Sequence, residues 1–183
     1  MSKKLEIVRL SSDLPRPEFT CGDPDLDEFY KIDSIKYGLQ LISTTYTVNQ
    51  DDQILGFFSV SNDSIRKEDC PTGSALKRVR KNIPQVKRYS SMPAVKIGRL
   101  GINASLQSRG VGSEIIDFLK GWFTIGNKTG CRFLVVDAYN KPNVINFYKN
   151  NDFLFIEPKD KGAKTRLMYF DLISIANAEN EYV

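Results

Sequence analysis

Short runs of apolar and β-branched residues, separated by polar stretches, indicate β-strands along much of the chain. Two β-rich runs, Thr44–Val48 and Ile54–Val60, flank the polar residues 49–52 and therefore predict a hairpin. A first strand is expected at Glu6–Leu10. Four further strands are expected at Ala94–Ile102, Phe133–Ala138, Phe153–Ile156 and Thr165–Leu172.

Two longer segments show the period of an amphipathic helix instead. Asp23 is a good N-cap residue and Pro24 suits the first helical position, so a helix is expected to begin there, with Gly38 dividing it in two. A second helix is predicted over Gly112–Thr124. The apolar positions are Leu26, Phe29 and Tyr30 in the first helix, and Ile115, Ile116, Leu119 and Phe123 in the second.

The remaining segments complete a mixed α/β sheet domain. Residues 62–93 form a polar, basic excursion with one short helix expected at Ala75–Lys81, and another short helix is expected at Asn143–Lys149. No internal repeat and no linker divides the chain. We therefore expect a single domain over residues 1–176, followed by a frayed tail at residues 177–183.

Composition excludes several kinds of chemistry. The 183-residue chain contains no histidine, which removes Ser-His-Asp and Cys-His nucleophiles and histidine metal sites. Cys21, Cys70 and Cys131 are odd in number and widely spaced, which favours reduced thiols over disulfides, and no metal is expected. No signal peptide and no membrane-spanning apolar run is present, so a cytoplasmic protein is expected.

The positive charge is concentrated in one segment. The net charge is +4, and from Cys70 to Lys96 there are seven basic residues and no acidic one. Such a segment suits a polyanion, although a basic loop is often only a solvated face. The candidate contacts with such a polyanion are Lys77, Arg78, Arg80, Lys81, Lys87 and Arg88.

The most informative motif lies between a predicted strand and the second helix. Gln107-x-x-Gly110-x-Gly112 would let the backbone approach a ligand closely, and the free amides at the helix start would favour a pyrophosphate. Arg109 could add a charge-assisted contact. The alternative is that the glycines only shape a tight turn. The motif is neither a dinucleotide-binding fingerprint nor a P-loop.

Together with its surroundings, this motif resembles the acetyl-CoA-binding core of GNAT N-acetyltransferases. The resemblance implies a mixed, mostly antiparallel sheet that is splayed at the acetyl-CoA site and flanked by helices. It departs from the family at Asp152, where glycine is usual, at Val144, where alanine is common, and at Asn140, which is one position out of register. The matching segments are Arg99-Leu100-Gly101-Ile102, Gln107-x-x-Gly110-x-Gly112, Val135-Val136-Asp137-Ala138 and Phe147-Tyr148 through Phe153.

The same resemblance implies the roles of individual residues. Tyr148 would donate a proton to the departing thiolate, since a phenol with a reference pKa of about 10 is a credible acid toward a thiolate of about 8.5. A backbone amide of the 100–102 strand would hold the acetyl carbonyl oxygen. The implied coenzyme-binding residues are Leu100, Gly101, Ile102, Gln107, Ser108, Arg109, Gly110, Val111, Gly112, Ser113 and Asn143.

A finer resemblance links most of the chain to the GNAT toxins of toxin–antitoxin pairs. It implies acetylation of the α-amine of aminoacyl-tRNA, a small antitoxin partner and a homodimer. An α-amine with a pKa of about 8 needs no strong base, and no convincing general base is evident. Two alternatives stay open: an ordinary acetyltransferase of a small or protein amine, and a non-catalytic coenzyme- or RNA-binding module. The segments that carry this resemblance are Phe19–Phe29, Gly56–Ser61 and Pro93–Leu100.

Overall fold

A computed structural model describes residues 5–11, 13–85, 89–126, 129–159 and 162–180 of the chain. Its seven strands form one sheet in the order β1-β2-β3-β4-β5-β7-β6. The pairs β1–β2, β2–β3, β5–β7 and β6–β7 are antiparallel, and β4–β5 is parallel. The strands are β1 Glu6–Arg9, β2 Thr44–Gln50, β3 Gln53–Arg66, β4 Ser91–Ile102, β5 Phe133–Tyr139, β6 Leu154–Phe155 and β7 Thr165–Asp171.

The predicted hairpin and strands are confirmed, with changes at their ends. β3 extends to Arg66 and β4 begins at Ser91, so the polar excursion between them is shorter than residues 62–93. β6 has only two residues. The parallel ladder of β4 with β5 covers three pairs, from Ala94 with Phe133 to Lys96 with Val135. It ends there, although both strands continue.

The predicted helices are present in the structure, but their ends differ from the predicted ones. The helices are α1 Pro24–Glu28, α2 Ser34–Leu39, α3 Gly73–Val79, α4 Val111–Thr124, α5 Pro142–Asn150 and α6 Ile173–Asn180.

The predicted division of the first helix at Gly38 is wrong. A π-helical turn over Phe29–Asp33 separates α1 from α2, and Gly38 lies near the end of α2. The wider turn inserts one residue into the helical repeat. Both Phe29 and Tyr30 are buried there, so packing of two successive aromatic rings explains where the helix changes. Asp23 does cap α1, because its Oδ1 accepts hydrogen bonds from Asp25 N and Leu26 N.

By its internal contacts the chain forms two compact units. The first comprises the described parts of Met1–Ser61 and Ile97–Asp117, and the second those of Asn62–Lys96 and Phe118–Val183. One buried apolar cluster of the first unit consists of Phe19, Cys21, Phe29, Tyr30 and Phe57. The core of the second is Ile65, Cys70, Ala75, Val79, Met92, Ala94, Phe133, Val135, Ile156 and Tyr169.

Part of the predicted tail belongs to a helix. Residues 177–180 continue α6, whereas 181–183 lie outside the described residues. Among the described helices, none has the length and apolar character that crossing a membrane would require.

Candidate active site

The end of β4, in the first unit, is shaped by close packing against β3. A methyl group at Gly101 would lie 2.5 Å from Phe57 Cε1, and one at Gly56 would lie 2.7 Å from the Gly101 carbonyl oxygen. Glycine is therefore required at both positions by the neighbouring strand itself. Leu100 and Ile102, the other predicted coenzyme contacts on this strand, are half-buried.

The chain that leaves β4 is anchored by its own polar groups. Asn103 N donates to Leu55 O at 2.9 Å, and Asn103 Nδ2 donates to Ile54 O at 3.1 Å. Gln107 Nε2 donates to Cys21 O at 2.7 Å and to Ile102 O at 3.2 Å. These bonds fix the loop before its glycine turn begins, and they occupy the amide nitrogen of a predicted coenzyme contact.

Cys21 is itself held by a carboxylate. Asp27 accepts hydrogen bonds from Thr20 Oγ1 at 2.5 Å and Cys21 N at 2.8 Å. Burial raises the pKa of Asp27, but these hydrogen bonds outweigh it and leave the pKa below its ordinary value. The support that Cys21 and Asp27 give to the loop was not predicted from the sequence. Cys21 accepts the hydrogen bond of Gln107 through its backbone carbonyl, which every residue type has.

The turn between Gln107 and α4 is open to solvent. Residues 107–110 are all exposed, and Ser108 and Gly110 have φ values of +61° and +89°. A methyl group at Gly110 would meet no protein atom within 4 Å. The glycine thus serves the backbone conformation and leaves free space beside it, unlike Gly101, whose side-chain space is filled by Phe57.

Helix α4 begins directly after this turn. Ser113 N and Glu114 N both donate to Gly110 O, at 2.9 and 3.1 Å, so Gly110 starts the helix. The first N–H groups of a helix have no intrahelical acceptor and carry the positive end of its dipole. With exposed Arg109 beside them, the open turn and the amides of the first turn of this 14-residue helix fit a pyrophosphate.

Tyr148, in the second unit, lies on α5 and is buried. Its ring packs edge-on against Phe153, with centroids 5.3 Å apart, and no described residue forms a hydrogen bond with its phenol oxygen. Burial raises the pKa of the phenol above its ordinary value. The side chain therefore keeps its proton at neutral pH, as an acid must, although a higher pKa makes it a weaker acid.

The turn that follows α5 explains one departure from the family pattern. Asp152 has φ +64°, in the left-handed region where glycine is favoured and where aspartate is among the better tolerated residues. Asn143, the predicted coenzyme contact on this helix, is exposed in the first turn of α5. Its role stays a prediction.

In the basic segment, Arg78 is exposed but makes three hydrogen bonds within the second unit. Arg78 Nη2 donates to Phe155 O and Ile156 O at 3.0 and 3.1 Å, and Arg78 Nε donates to Tyr169 Oη at 3.2 Å. Arg78 thus joins α3 to β6 and β7.

The other basic residues are less engaged. Arg80 Nη2 donates to Tyr89 O at 2.8 Å, whereas Lys77 and Lys81 are exposed. Lys87 and Arg88 lie outside the described residues.

A charged cluster on three strands was not among the predicted site residues. Lys96 Nζ, on β4, contacts the carboxylate of Asp137 on β5 and lies 4.0 Å from Asp63 Oδ2 on β3. Lys96 is therefore neutralised and adds nothing to the field of the basic segment. The alternation of the strands could have placed these residues on one face, but strand pairing had to be known first.

The chain is similar to acetylating toxins in sequence and in fold. No protein-family model matches it. It is 27% identical over 143 residues to the tRNA-acetylating toxin of Mycobacterium tuberculosis (strain ATCC 25618 / H37Rv). The match covers 78% of this chain and 79% of that protein.

Two solved structures show the same fold over nearly the whole chain. AtaT complexed with acetyl-methionyl-tRNAfMet has a TM-score of 0.70 at 23% identity, covering 96% of this chain and 99% of that chain. A tyrosine-to-phenylalanine mutant of AtaT, bound to the C-terminus of the antitoxin AtaR and acetyl-CoA, has a TM-score of 0.65 at 20% identity, covering 97% and 99%. The predicted fold class and the resemblance to toxins of toxin–antitoxin pairs are therefore confirmed.

Proposed function

We propose that this chain is an acetyl-CoA-dependent N-acetyltransferase that acetylates the α-amine of aminoacyl-tRNA. It would act in the cytoplasm as the toxin of a toxin–antitoxin pair and stop translation. The observation that carries the proposal is the exposed turn at Gly110, which opens onto the start of α4 in a fold shared with AtaT. The relative that is named a tRNA-acetylating toxin supports the choice of acceptor.

The coenzyme would be held by backbone more than by side chains. The amides of Val111 and Gly112 and the turn residues Ser108 and Gly110 would bind the pyrophosphate, with Arg109 adding a charge. Ser113 would contribute through its side chain, because its amide already donates to Gly110 O. The Leu100–Ile102 backbone would hold the pantetheine arm, and one of its amides the acetyl carbonyl oxygen. Gln107 would act indirectly, because its amide nitrogen anchors the loop to Cys21 and Ile102.

The protein's own chemistry would be limited to orienting groups and moving one proton. Acetyl-CoA supplies an activated acetyl group as a thioester. Tyr148 would give its phenol proton to the sulfur as the thiolate leaves. The α-amine, with a pKa of about 8, is partly neutral at physiological pH and can attack without a dedicated base.

The tRNA would be attracted by phosphate neutralisation. Lys77 and Lys81 are exposed for this role. Arg80, Lys87 and Arg88 are the further candidates, whereas the Arg78 guanidinium already donates hydrogen bonds within the second unit. A small antitoxin that neutralises the toxin and a homodimer are the expected protein partners, and AtaT bound to the C-terminus of AtaR supports the first.

The decisive test is transfer of labelled acetyl from acetyl-CoA to bulk aminoacyl-tRNA by the purified protein. We expect label in the tRNA fraction that is lost when the tRNA is deacylated, because the acetyl group is on the aminoacyl moiety. Uncharged tRNA is the matched control and should stay unlabelled.

Other results would change the assignment. No label on tRNA, with acetyl-CoA binding intact and acetylation of free or protein amines, would make this an ordinary acetyltransferase. Coenzyme or RNA binding without any transfer would make it a binding module.

A further inference from the structure

Lys120, on α4, is a buried cation that the proposed mechanism does not use. The residue is 6% exposed, and its Nζ lies 3.4 Å from Asp152 Oδ2 and 4.5 Å from the centroid of the Phe170 ring. A buried ammonium is costly unless it has an opposite charge and an aromatic face to replace water. Asp152, whose side chain is 78% exposed, and the Phe170 ring are partners of these two kinds.

Asp152 occupies a backbone position that favours glycine. Its φ of +64° is disfavoured for most side chains, and the segment it belongs to resembles a family pattern with glycine at this place. Glycine would fit the backbone better but would remove the contact between Lys120 and the Asp152 carboxylate. The substitution of glycine by aspartate is therefore explained by the charge on the facing helix.

Two sets of contacts, both within the second unit, connect this ion pair to Tyr148. Through the backbone, Phe153 N and Asn151 N, on either side of Asp152, donate to Tyr148 O at 3.0 and 3.1 Å.

Through side chains, the Phe170 ring beneath Lys120 lies 6.0 Å from the Phe153 ring, which lies 5.3 Å from the Tyr148 ring. The turn that carries Asp152 thus also determines where the Tyr148 side chain packs.

We propose that Lys120 and Asp152 are positioning residues for Tyr148: their ion pair fixes the 151–153 turn and the Phe153 ring, and thereby the phenol. This inference rests on the proposed function, because it assigns to the pair an effect on the proton transfer assigned to Tyr148. Neither residue is expected to touch the coenzyme or the amine.

The test compares kcat and KM for acetyl-CoA in Asp152→Asn, Lys120→Met and Tyr148→Phe, alone and combined. Asparagine tolerates the left-handed conformation, so Asp152→Asn removes the charge and leaves the backbone unstrained. We expect kcat to fall about tenfold in Asp152→Asn and in Lys120→Met, with KM for acetyl-CoA changed less than about twofold, because a small misplacement of a catalytic group is enough for such a loss. Lys120→Arg, which keeps the charge, should retain most of the activity.

The combination with Tyr148→Phe separates positioning from general structural damage. If the pair acts through the phenol, Asp152→Asn should cause no further loss of kcat in the Tyr148→Phe background, because the effects of residues that act as a unit are not additive. Asp33→Asn is the matched control, since it breaks the exposed Lys36–Asp33 pair at 3.3 Å and should leave kcat unchanged in both backgrounds.

Each contrary outcome is distinct. Unchanged kcat in Asp152→Asn, or losses that multiply in the double variant, would overturn the positioning role and leave that of Tyr148 standing. Undiminished kcat in Tyr148→Phe would remove the role of Tyr148 and this inference with it. Melting temperatures close to that of the parent protein would confirm that the variants compared are folded.

Discussion

At the scale of single residues, Tyr148 combines burial with a predicted acidic role. Because burial raises the pKa of its phenol, the protonated form persists throughout the range in which an α-amine of pKa about 8 loses its proton.

We expect kcat/KM to rise with pH through about 8 and then to stay level up to about pH 10. Tyr148→Phe should lower kcat about 100-fold and leave the position of the rise unchanged, since the rise belongs to the substrate. Initial rates between pH 6 and 10 measure both effects. A fall in rate near pH 9 that disappears in the phenylalanine variant would mean that the phenol ionises there, against this prediction.

Gly110 offers a second test at this scale. A glutamate at this position would bring a side chain and a negative charge into the space left for the pyrophosphate, so Gly110→Glu should abolish acetyl-CoA binding in calorimetry. Gly126→Glu is a suitable control, because Gly126 also has a positive φ (+64°) and no protein atom within 4 Å of an added methyl group. Both variants place a glutamate at a positive φ (+89° and +64°), and only the first should lose the coenzyme. Full affinity in Gly110→Glu would show that the turn does not hold it.

At the scale of elements, α3 shows that basic residues next to each other in sequence can have different roles in the structure. Arg78 and Lys77 are exposed neighbours in one basic segment, yet the Arg78 guanidinium makes three hydrogen bonds to β6, β7 and their connection. Sequence predicted the helix and its charge, but only the neighbouring strands decide which charges remain available.

This difference gives opposite expectations for two alanine variants. Arg78→Ala should lower the free energy of unfolding by about 1–3 kcal/mol, because it removes three hydrogen bonds, of which those to Tyr169 Oη and Ile156 O are partly buried. Lys77→Ala should change that free energy by less than about 0.5 kcal/mol and weaken tRNA binding, with a shallower dependence on salt. Urea unfolding and salt-dependent binding of tRNA measure the two effects. Equal stability of the two variants would contradict the structural role of Arg78.

At the scale of the whole molecule, the two compact units make the predicted single domain testable. Trp122 is the only tryptophan in the sequence and lies in the second unit, so its fluorescence reports on that unit, whereas far-UV circular dichroism reports on both. For a single cooperative domain the two urea transitions should coincide. A second dichroism transition without a fluorescence change would instead indicate units that unfold separately.

The local pattern of apolar and polar residues by itself determined the class of fold and the order of the elements. The short apolar runs of β3 and β5 and the apolar stripe of α4 are local signals, because each depends only on the residues of one element. The place of the open turn between β4 and α4 was predictable for the same reason. Glycine and a helix start occur there within a few residues of each other.

Tertiary structure alone decided which partners the side chains have. It placed Phe57 against Gly101, the carbonyl of Cys21 against Gln107, the carbonyls of Phe155 and Ile156 against Arg78, and Asp152 against Lys120. These contacts join residues far apart in sequence, so they depend on strand order and packing, which no local pattern encodes. The residue types that shape the candidate site were therefore visible in the sequence, whereas the reasons for several of them lie in neighbours that only the folded chain brings close.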